Sequence, residues 1–310
     1  MAEKMRAGTM QKLTSGILVV DKPEGMSSAG VVGRIKRGLR AGKVGHCGTL
    51  DPFASGVVVC CINQATRLAG FFLHGDKRYE GILRLGIETD TQDLTGETVS
   101  EKPVDVTADA VRSAFAALEG PMRQHPPVYS ALKHRGVPLY KLARAGRPVQ
   151  KPPREIVIHR LEVQAVDLPD VRFSVSCSGG TYVRTLAVDL GRMLGCGAHL
   201  RKLVRTAAGP FSLEQALTPR EVAALAAVDA VEDRMIPMND AVAFMPMRRI
   251  APETARKIRH GMPLTEKEIE RPKTDASSGW IRIVDENDRL IAILEHKKGN
   301  PRYNYCCVFN

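Results

Sequence analysis

Short apolar runs alternate with longer amphipathic stretches along this chain. Gly16–Asp21 (GILVVD) is apolar and stops at Lys22-Pro23-Glu24-Gly25, which predicts a strand followed by a turn. Val31, Ile35 and Leu39 recur at four-residue spacing after Ser27-Ser28, so either serine can cap a helix running to about Leu39. A glycine-punctuated stretch, Gly42 to Gly56, leads into the continuous apolar run Val57–Ile62, a buried strand. Tyr79–Leu85 alternates as a half-buried strand does. Thr107 caps a helix with Val111, Phe115 and Leu118 on one face, and Gly120-Pro121 stops it. The turn-rich segment Pro126–Ala145 ends in a short helix from Pro138. Strands follow at Ile156–Val166 and Val171–Cys177, then a break at Gly179-Gly180. Thr181 is expected to cap a helix to about Leu194, with Val183, Leu186, Leu190 and either Met193 or Leu194 inward. Thr218-Pro219-Arg220-Glu221 reads as a capping box with proline at the first helical position.

Further on, two prolines make 237–246 an expected linker. Beyond it lie a basic helix near Pro252–His260 and strands at Trp280–Val284, Arg289–Leu294 and Tyr303–Phe309. The pattern gives four parts: a flexible tail (1–13), a large α+β domain (14–236), the linker, and a small β-rich module (247–310).

Composition narrows the class. The 310 residues are 44% hydrophobic and 25% charged, ordinary for a globular protein. No run approaches the roughly 18 apolar residues of a membrane span. The first dozen residues lack a signal peptide's apolar stretch, so the cytoplasm is the expected location. Seven cysteines include two adjacent pairs and no metal-ligand spacing, which predicts reduced, mostly buried thiols and no metal site.

Charge changes the picture more. The net charge is +11, and the excess is in blocks. Arg34–Lys43 holds five basic residues and no acid; Lys133–Arg160 holds eight against one; Asp76–Glu119 reverses the sign with ten acids against five bases. Such blocks fit one face built for a polyanion, an anionic metabolite, or a merely solvated surface. Aromatics are only 5%, too few for a broad base-stacking platform. There is no P-loop, dinucleotide fingerprint, zincin helix or nucleophile elbow.

The stretch Gly45–Gly56 (GHCGTLDPFASG) stands out. Its glycines allow tight turns, and Pro52 biases Asp51 to extended backbone, so the carboxylate sits on a constrained loop. Asp51 is a catalytic candidate or a turn-capping aspartate. His46 alone is a structural histidine or a functional one. Arg184 falls in a helix's first turn, where the positive helix end disfavours a cation. Either an anion compensates it or it faces solvent.

GHCGTLDPFASG resembles the signature loop of the TruB family of tRNA uridine isomerases. Ile17–Ser28 (ILVVDKPEGMSS) resembles that family's opening segment and Lys77–Gly96 (KRYEGILRLGIETDTQDLTG) its second motif. Pro126–Gly146 is similar to its proline-rich basic segment, and Cys177–Phe211 to its late catalytic-domain motif. The matches fall in the family's order. Cys47 stands where threonine is frequent, and Phe53 where leucine is common. The C-terminal module resembles a PUA RNA-binding domain more loosely.

The resemblance implies the pseudouridine synthase fold, an α+β domain whose mixed, largely antiparallel sheet is flanked by helices, and the conversion of uridine 55, in the T loop of tRNA, to pseudouridine, with no cofactor and no metal. It assigns Asp51 as nucleophile or ribose stabiliser, with Arg184 as its charge partner; a guanidinium favours the ionised form of a carboxylate. Tyr79 matches the stacking tyrosine and a candidate acid/base. His46, Tyr182 and Leu203 match contacts to the flipped nucleotide, and Lys22 a supporting or phosphate contact. The expected partner is tRNA, held at its T arm and elbow by a monomer with no membrane association. Arg184→Ala is expected to abolish turnover with folding nearly intact. Three rivals remain: a guide-RNA-dependent synthase subunit, a tRNA-binding or folding helper with incidental isomerase activity, and an anionic-metabolite enzyme that no nucleotide motif supports.

Overall fold

The computed structural model describes residues 13–264, 269, 279–296 and 303–309. The expected tail, apart from Leu13, lies outside the described residues. The strands are β1 (Gly16–Lys22), β2 (Val44–His46), β3 (Ser55–Ile62), β4 (Lys77–Leu85), β5 (Ile87–Thr89), β6 (Thr98–Glu101), β7 (Gly120–Gln124), β8 (Lys133–His134), β9 (Val137–Pro138), β10 (Arg154–Asp167), β11 (Asp170–Cys177), β12 (Ala198–Ala208), β13 (Phe211–Ser212), β14 (Ile236–Pro237), β15 (Met247–Arg249), β16 (Trp280–Val284), β17 (Leu290–His296) and β18 (Tyr303–Val308). The helices are α1 (Ser28–Gly38), α2 (Ala69–Leu73), α3 (Ala108–Ala116), α4 (Leu139–Arg144), α5 (Val183–Met193), α6 (Pro219–Ala227), α7 (Met238–Ala241) and α8 (Pro252–Arg259).

The large sheet runs β14-β1-β3-β12-β4-β11-β10-β7, with β2 on β3 and β13 on β12. Every pairing is antiparallel except β3 with β12. That parallel seam sets the start of β3 beside the middle of β12, with Gly56 opposite Arg205. A side chain at Gly56, which has φ +104°, would collide with the Arg205 backbone, so only glycine fits.

Why β1 and β3 lack alternation is now plain. Leu18, Val20, Val58 and Cys60 face one core, where α1 contributes Val31 and Ile35, α3 contributes Phe115 and α5 contributes Leu186 and Leu190. Ile17, Val19, Val57 and Val59 face a second core with Leu68, Phe72, Met245, Ile293 and Phe309. A strand covered on both faces reads as one apolar run. By contrast, β4 leaves Arg78 and Glu80 to solvent and alternates.

Ser27 caps α1 by accepting from Gly30 N (3.0 Å). Ser28 is buried and serves another purpose, described below. The box at Thr218 forms with both of its reciprocal bonds. The expected cap at Thr181 does not form. Its hydroxyl donates to the Ser178 carbonyl (3.0 Å), the helix begins at Val183, and Tyr182 occupies the cap position without a side-chain cap bond. Leu194, not Met193, packs inward: it touches the core while Met193 is half exposed.

Residues 237–246, expected as a linker, are packed. Ile236–Pro237 pairs with β1, and Ala241, Val242 and Met245 are buried in the second core. The C-terminal sheet, β15-β16-β17-β18, shares that core through Leu290, Ile293, Cys307 and Phe309. Cys47, Cys60, Cys61, Cys177, Cys196 and Cys307 are free thiols, and all six are buried. No described helix is long and apolar enough to cross a membrane.

Candidate active site

The loop between β2 and β3 is fixed at several points, each from a different element. Ser28 Oγ donates to the Leu50 carbonyl (3.1 Å) and accepts from Leu50 N (2.8 Å). Lys22 Nζ donates to the carbonyls of Pro23 (3.0 Å), Met26 (2.7 Å) and Pro52 (3.2 Å). Arg205 donates to the carbonyls of Gly48 (3.2 Å), Thr49 (3.3 Å) and Val57 (2.7 Å). Asp51 is therefore held by its backbone while 32% of its side chain stays open to solvent.

Arg184 meets that carboxylate in a fork. Nε donates to Oδ2 (2.9 Å) and Nη2 to Oδ1 (3.1 Å). Its remaining edges donate to the carbonyls of Thr91 (2.7 Å) and Tyr129 (2.8 Å), and Nη1 lies 3.5 Å from Asp93 Oδ2. Two carboxylates and two carbonyls compensate the cation at the helix start, which is why its side chain can be only 4% exposed. Asp93 is itself pinned: Oδ1 accepts from Thr91 Oγ1 (2.8 Å), Thr95 N (3.0 Å) and Thr95 Oγ1 (2.6 Å).

Tyr79 lies on β4 opposite Arg205 of β12, and Leu203, two residues before Arg205, shares that face with it. Both Tyr79 and Leu203 are buried. Burial pushes the Tyr79 phenol up, Arg205 pulls it back, and Cys177 and Asp51 add to the rise. His46 ends β2; burial pushes its imidazole down, and Arg205 adds to that. Its Nδ1 is buried without a protein partner. The Tyr182 ring lies under the Arg154 guanidinium, 4.4 Å from ring centre to Cζ. Its backbone is clamped by Gln124, which accepts from Tyr182 N (2.8 Å) and donates to Tyr182 O (3.0 Å).

The structure thus joins Asp51 to Arg184 directly and gathers Tyr79, Leu203 and His46 around the β3–β12 seam. Tyr182 stands just ahead of Arg184 with its ring engaged by Arg154. Lys22 does not reach the surface, which corrects its expected phosphate contact. It is fully buried, all three donors are spent on carbonyls, and burial lowers its ammonium to about 8. It supports the Asp51 loop from behind.

Three residues escaped the sequence reading. Asp93 had a local signal, a threonine two positions before and two after, the spacing of side-chain-to-backbone turns. Arg205 and Gln124 are strand residues whose partners are far away in sequence, and no local pattern marks them. Among the described residues no cluster of three or more His, Cys, Asp or Glu could hold a metal ion.

A solvent-open carboxylate locked to a buried arginine, beside a buried tyrosine on a mixed sheet, defines the class: this is the pseudouridine synthase fold. The solved Cbf5-Nop10-Gar1 complex superposes with a TM-score of 0.75 at 27% identity, covering 94% of this chain and 84% of that one. An H/ACA RNP bound to a substrate RNA containing 2'-deoxyuridine gives 0.72 at 26% identity, over 95% and 85%. Residues 36–183 match the N-terminal domain of TruB family pseudouridylate synthases, and residues 184–243 match the tRNA pseudouridylate synthase B C-terminal domain. The tRNA pseudouridine synthase B of Pseudomonas aeruginosa (strain UCBPP-PA14) is 42% identical over 289 residues, 92% of this chain and 93% of that protein. That of Burkholderia mallei (strain NCTC 10247) is 41% identical over 93% of this chain and 95% of its own length. The chain belongs to the TruB family of pseudouridine synthases and is an isomerase.

Proposed function

We propose that the enzyme converts uridine 55 in the T loop of tRNA to pseudouridine, with Asp51 at the centre of the reaction and no cofactor. The observation that carries this reading is the Asp51–Arg184 fork: a carboxylate aimed outward, 32% exposed, with a buried guanidinium behind it. The N1–C1' bond breaks, the base turns, and a C5–C1' bond forms; C5 loses its proton and N1 gains one. Asp51 can add to the sugar or base, or offset the positive charge developing on the ribose. The uridine is inaccessible inside the folded loop, so it is flipped out at a cost of about a few kcal/mol. Tyr79 offers the stacking face and a hydroxyl for proton transfer, Leu203 an apolar floor, and His46 and Tyr182 flank the nucleotide. Exposed Lys133, Arg135, Lys141, Arg144 and Arg147 would track phosphates of the T arm and elbow, fixing position without reading sequence. The C-terminal, PUA-like sheet would extend the grip. The enzyme acts as a cytoplasmic monomer on this reading.

The test is tritium release from an unmodified tRNA transcript labelled at uridine C5, comparing wild type with Asp51→Asn. Release by wild type alone, mapped to the T loop, supports the reading. Equal release by Asp51→Asn removes Asp51 from the chemistry. Tight binding without release by wild type points instead to a required guide RNA or partner.

A further inference from the structure

The most unusual buried group outside the Asp51–Arg184 pair is Arg205. It is 1% exposed, and no carboxylate pairs with it among the described residues. An isolated buried charge costs several kcal/mol even after relaxation, so carbonyl bonds alone are poor compensation. Hydrophobic packing would hold strand β12 equally well. The guanidinium has a specific placement instead. Two of its carbonyl partners, Gly48 and Thr49, belong to the Asp51 loop; the third, Val57, lies in β3 just beyond that loop. Directly opposite Arg205 on β4 stands Tyr79, its cross-strand partner, which is buried as well.

We infer that Arg205 is a positioning residue of the isomerase: it ties the Asp51 loop to β12 opposite Tyr79 and holds a fixed cation beside the Tyr79 phenol. This rests on the reading of Tyr79 as the proton-transfer group. A guanidinium carries only donors and a fixed positive charge, so beside a phenol it favours negative charge on the oxygen. Once the C5–C1' bond has formed, the C5–H bond breaks and its electron pair restores the C5=C6 double bond. The proton passes to the Tyr79 oxygen while N1 takes the phenol's proton, and both side chains end unchanged. Negative charge gathering on the phenol oxygen during that exchange is stabilised by Arg205, because both side chains are buried. The other ionisable groups acting on Tyr79 are Cys177 of β11 and Asp51, which both oppose that charge, so among the described residues Arg205 is the single cation set against them. Around Arg205 itself stand Lys22, His46 and Lys77, whose protonated forms its charge disfavours.

A double-mutant cycle separates this role from simple bracing. Single-turnover tritium release and RNA affinity are measured for wild type, Arg205→Gln, Tyr79→Phe and the double variant, with thermal melting to verify folding. Arg205→Gln is expected to slow turnover about 100-fold, the lower range of a proton-transfer contribution, with affinity within about threefold. In the Tyr79→Phe background the same change should cost less than about threefold. An equal factor in both backgrounds overturns the inference and leaves the Tyr79 reading intact. Full turnover by Tyr79→Phe alone overturns that reading, and the inference with it. Should Arg205→Gln not fold, Arg205→Lys carries the same cycle. Lysine keeps the charge and loses the fork to the carbonyls, so it should retain more turnover than any neutral variant that folds; a neutral variant that matches it also overturns the inference.

Discussion

Removing Arg184 should damage the fold as well as the chemistry, contrary to the expectation from sequence. Its guanidinium touches two carboxylates in different surroundings. Asp51 is 32% exposed, and water can replace much of what it loses, so that pair contributes little to stability. Asp93 is only 6% exposed at its side chain, and three donors from Thr91 and Thr95 hold it in place. Arg184→Ala leaves that buried charge without its cation and strips the carbonyls of Thr91 and Tyr129 of their donor. Breaking a buried pair from one side costs about 3–5 kcal/mol. For a domain of this size each kcal/mol lowers Tm by about 2–4 °C, so the variant should melt about 6–20 °C below wild type. The double variant Arg184→Ala with Asp93→Asn removes the orphaned charge and should regain part of that loss, although turnover stays abolished. Differential scanning calorimetry on the four proteins decides it. A melting point for Arg184→Ala within about 2 °C of wild type would refute the argument, because Asp93 would then need no cation.

Two further outcomes follow from the geometry. Lys22 has its ammonium lowered to about 8 in the fold against an ordinary 10.5 when unfolded, so holding it charged costs the fold about 3 kcal/mol below pH 8. Between about pH 8 and 10.5 the unfolded chain binds the extra proton, so this group makes stability rise with pH there. Urea unfolding at stepped pH, wild type minus Lys22→Met, should show that rising limb; a flat difference contradicts it. Neutralising Lys133, Arg135, Lys141, Arg144 and Arg147 together should weaken tRNA binding and flatten its dependence on salt by about 0.7–0.9 for each lost phosphate contact. An unchanged slope takes the segment off the RNA face.

Much of this molecule was legible in one dimension. Periodicity located α1, α3 and the β10–β11 pair because each depends on neighbours three, four or two residues away. The loop carrying Asp51 was visible from glycine and proline, whose backbone limits are local. Resemblance to a known family then supplied roles that spacing alone left open. The first turn of α5 was not legible at Thr181: Gly179 packs against the His74 backbone, a partner remote in sequence, and the Thr181 hydroxyl turns back to the Ser178 carbonyl. The same holds for 237–246, where two prolines suggested a linker; only the second core, fed by both sheets, shows why Val242 and Met245 must be buried.

The sequence by itself determined several of the strands and helices, β1, β3, β4, β10, β11, α1 and α3 among them, where the constrained carboxylate lies, and where positive charge collects; it did not mark β12, the central strand. Tertiary structure alone decided what surrounds each charge. Asp51, Asp93 and Arg184 meet because loops around residues 51 and 93 converge on the start of α5. Arg205 faces Tyr79 because β12 enters the sheet between β3 and β4. Lys22 turns inward because three carbonyls wait there. A charge is costly or useful according to the groups within a few ångströms of it, and for these residues those groups lie far away along the chain.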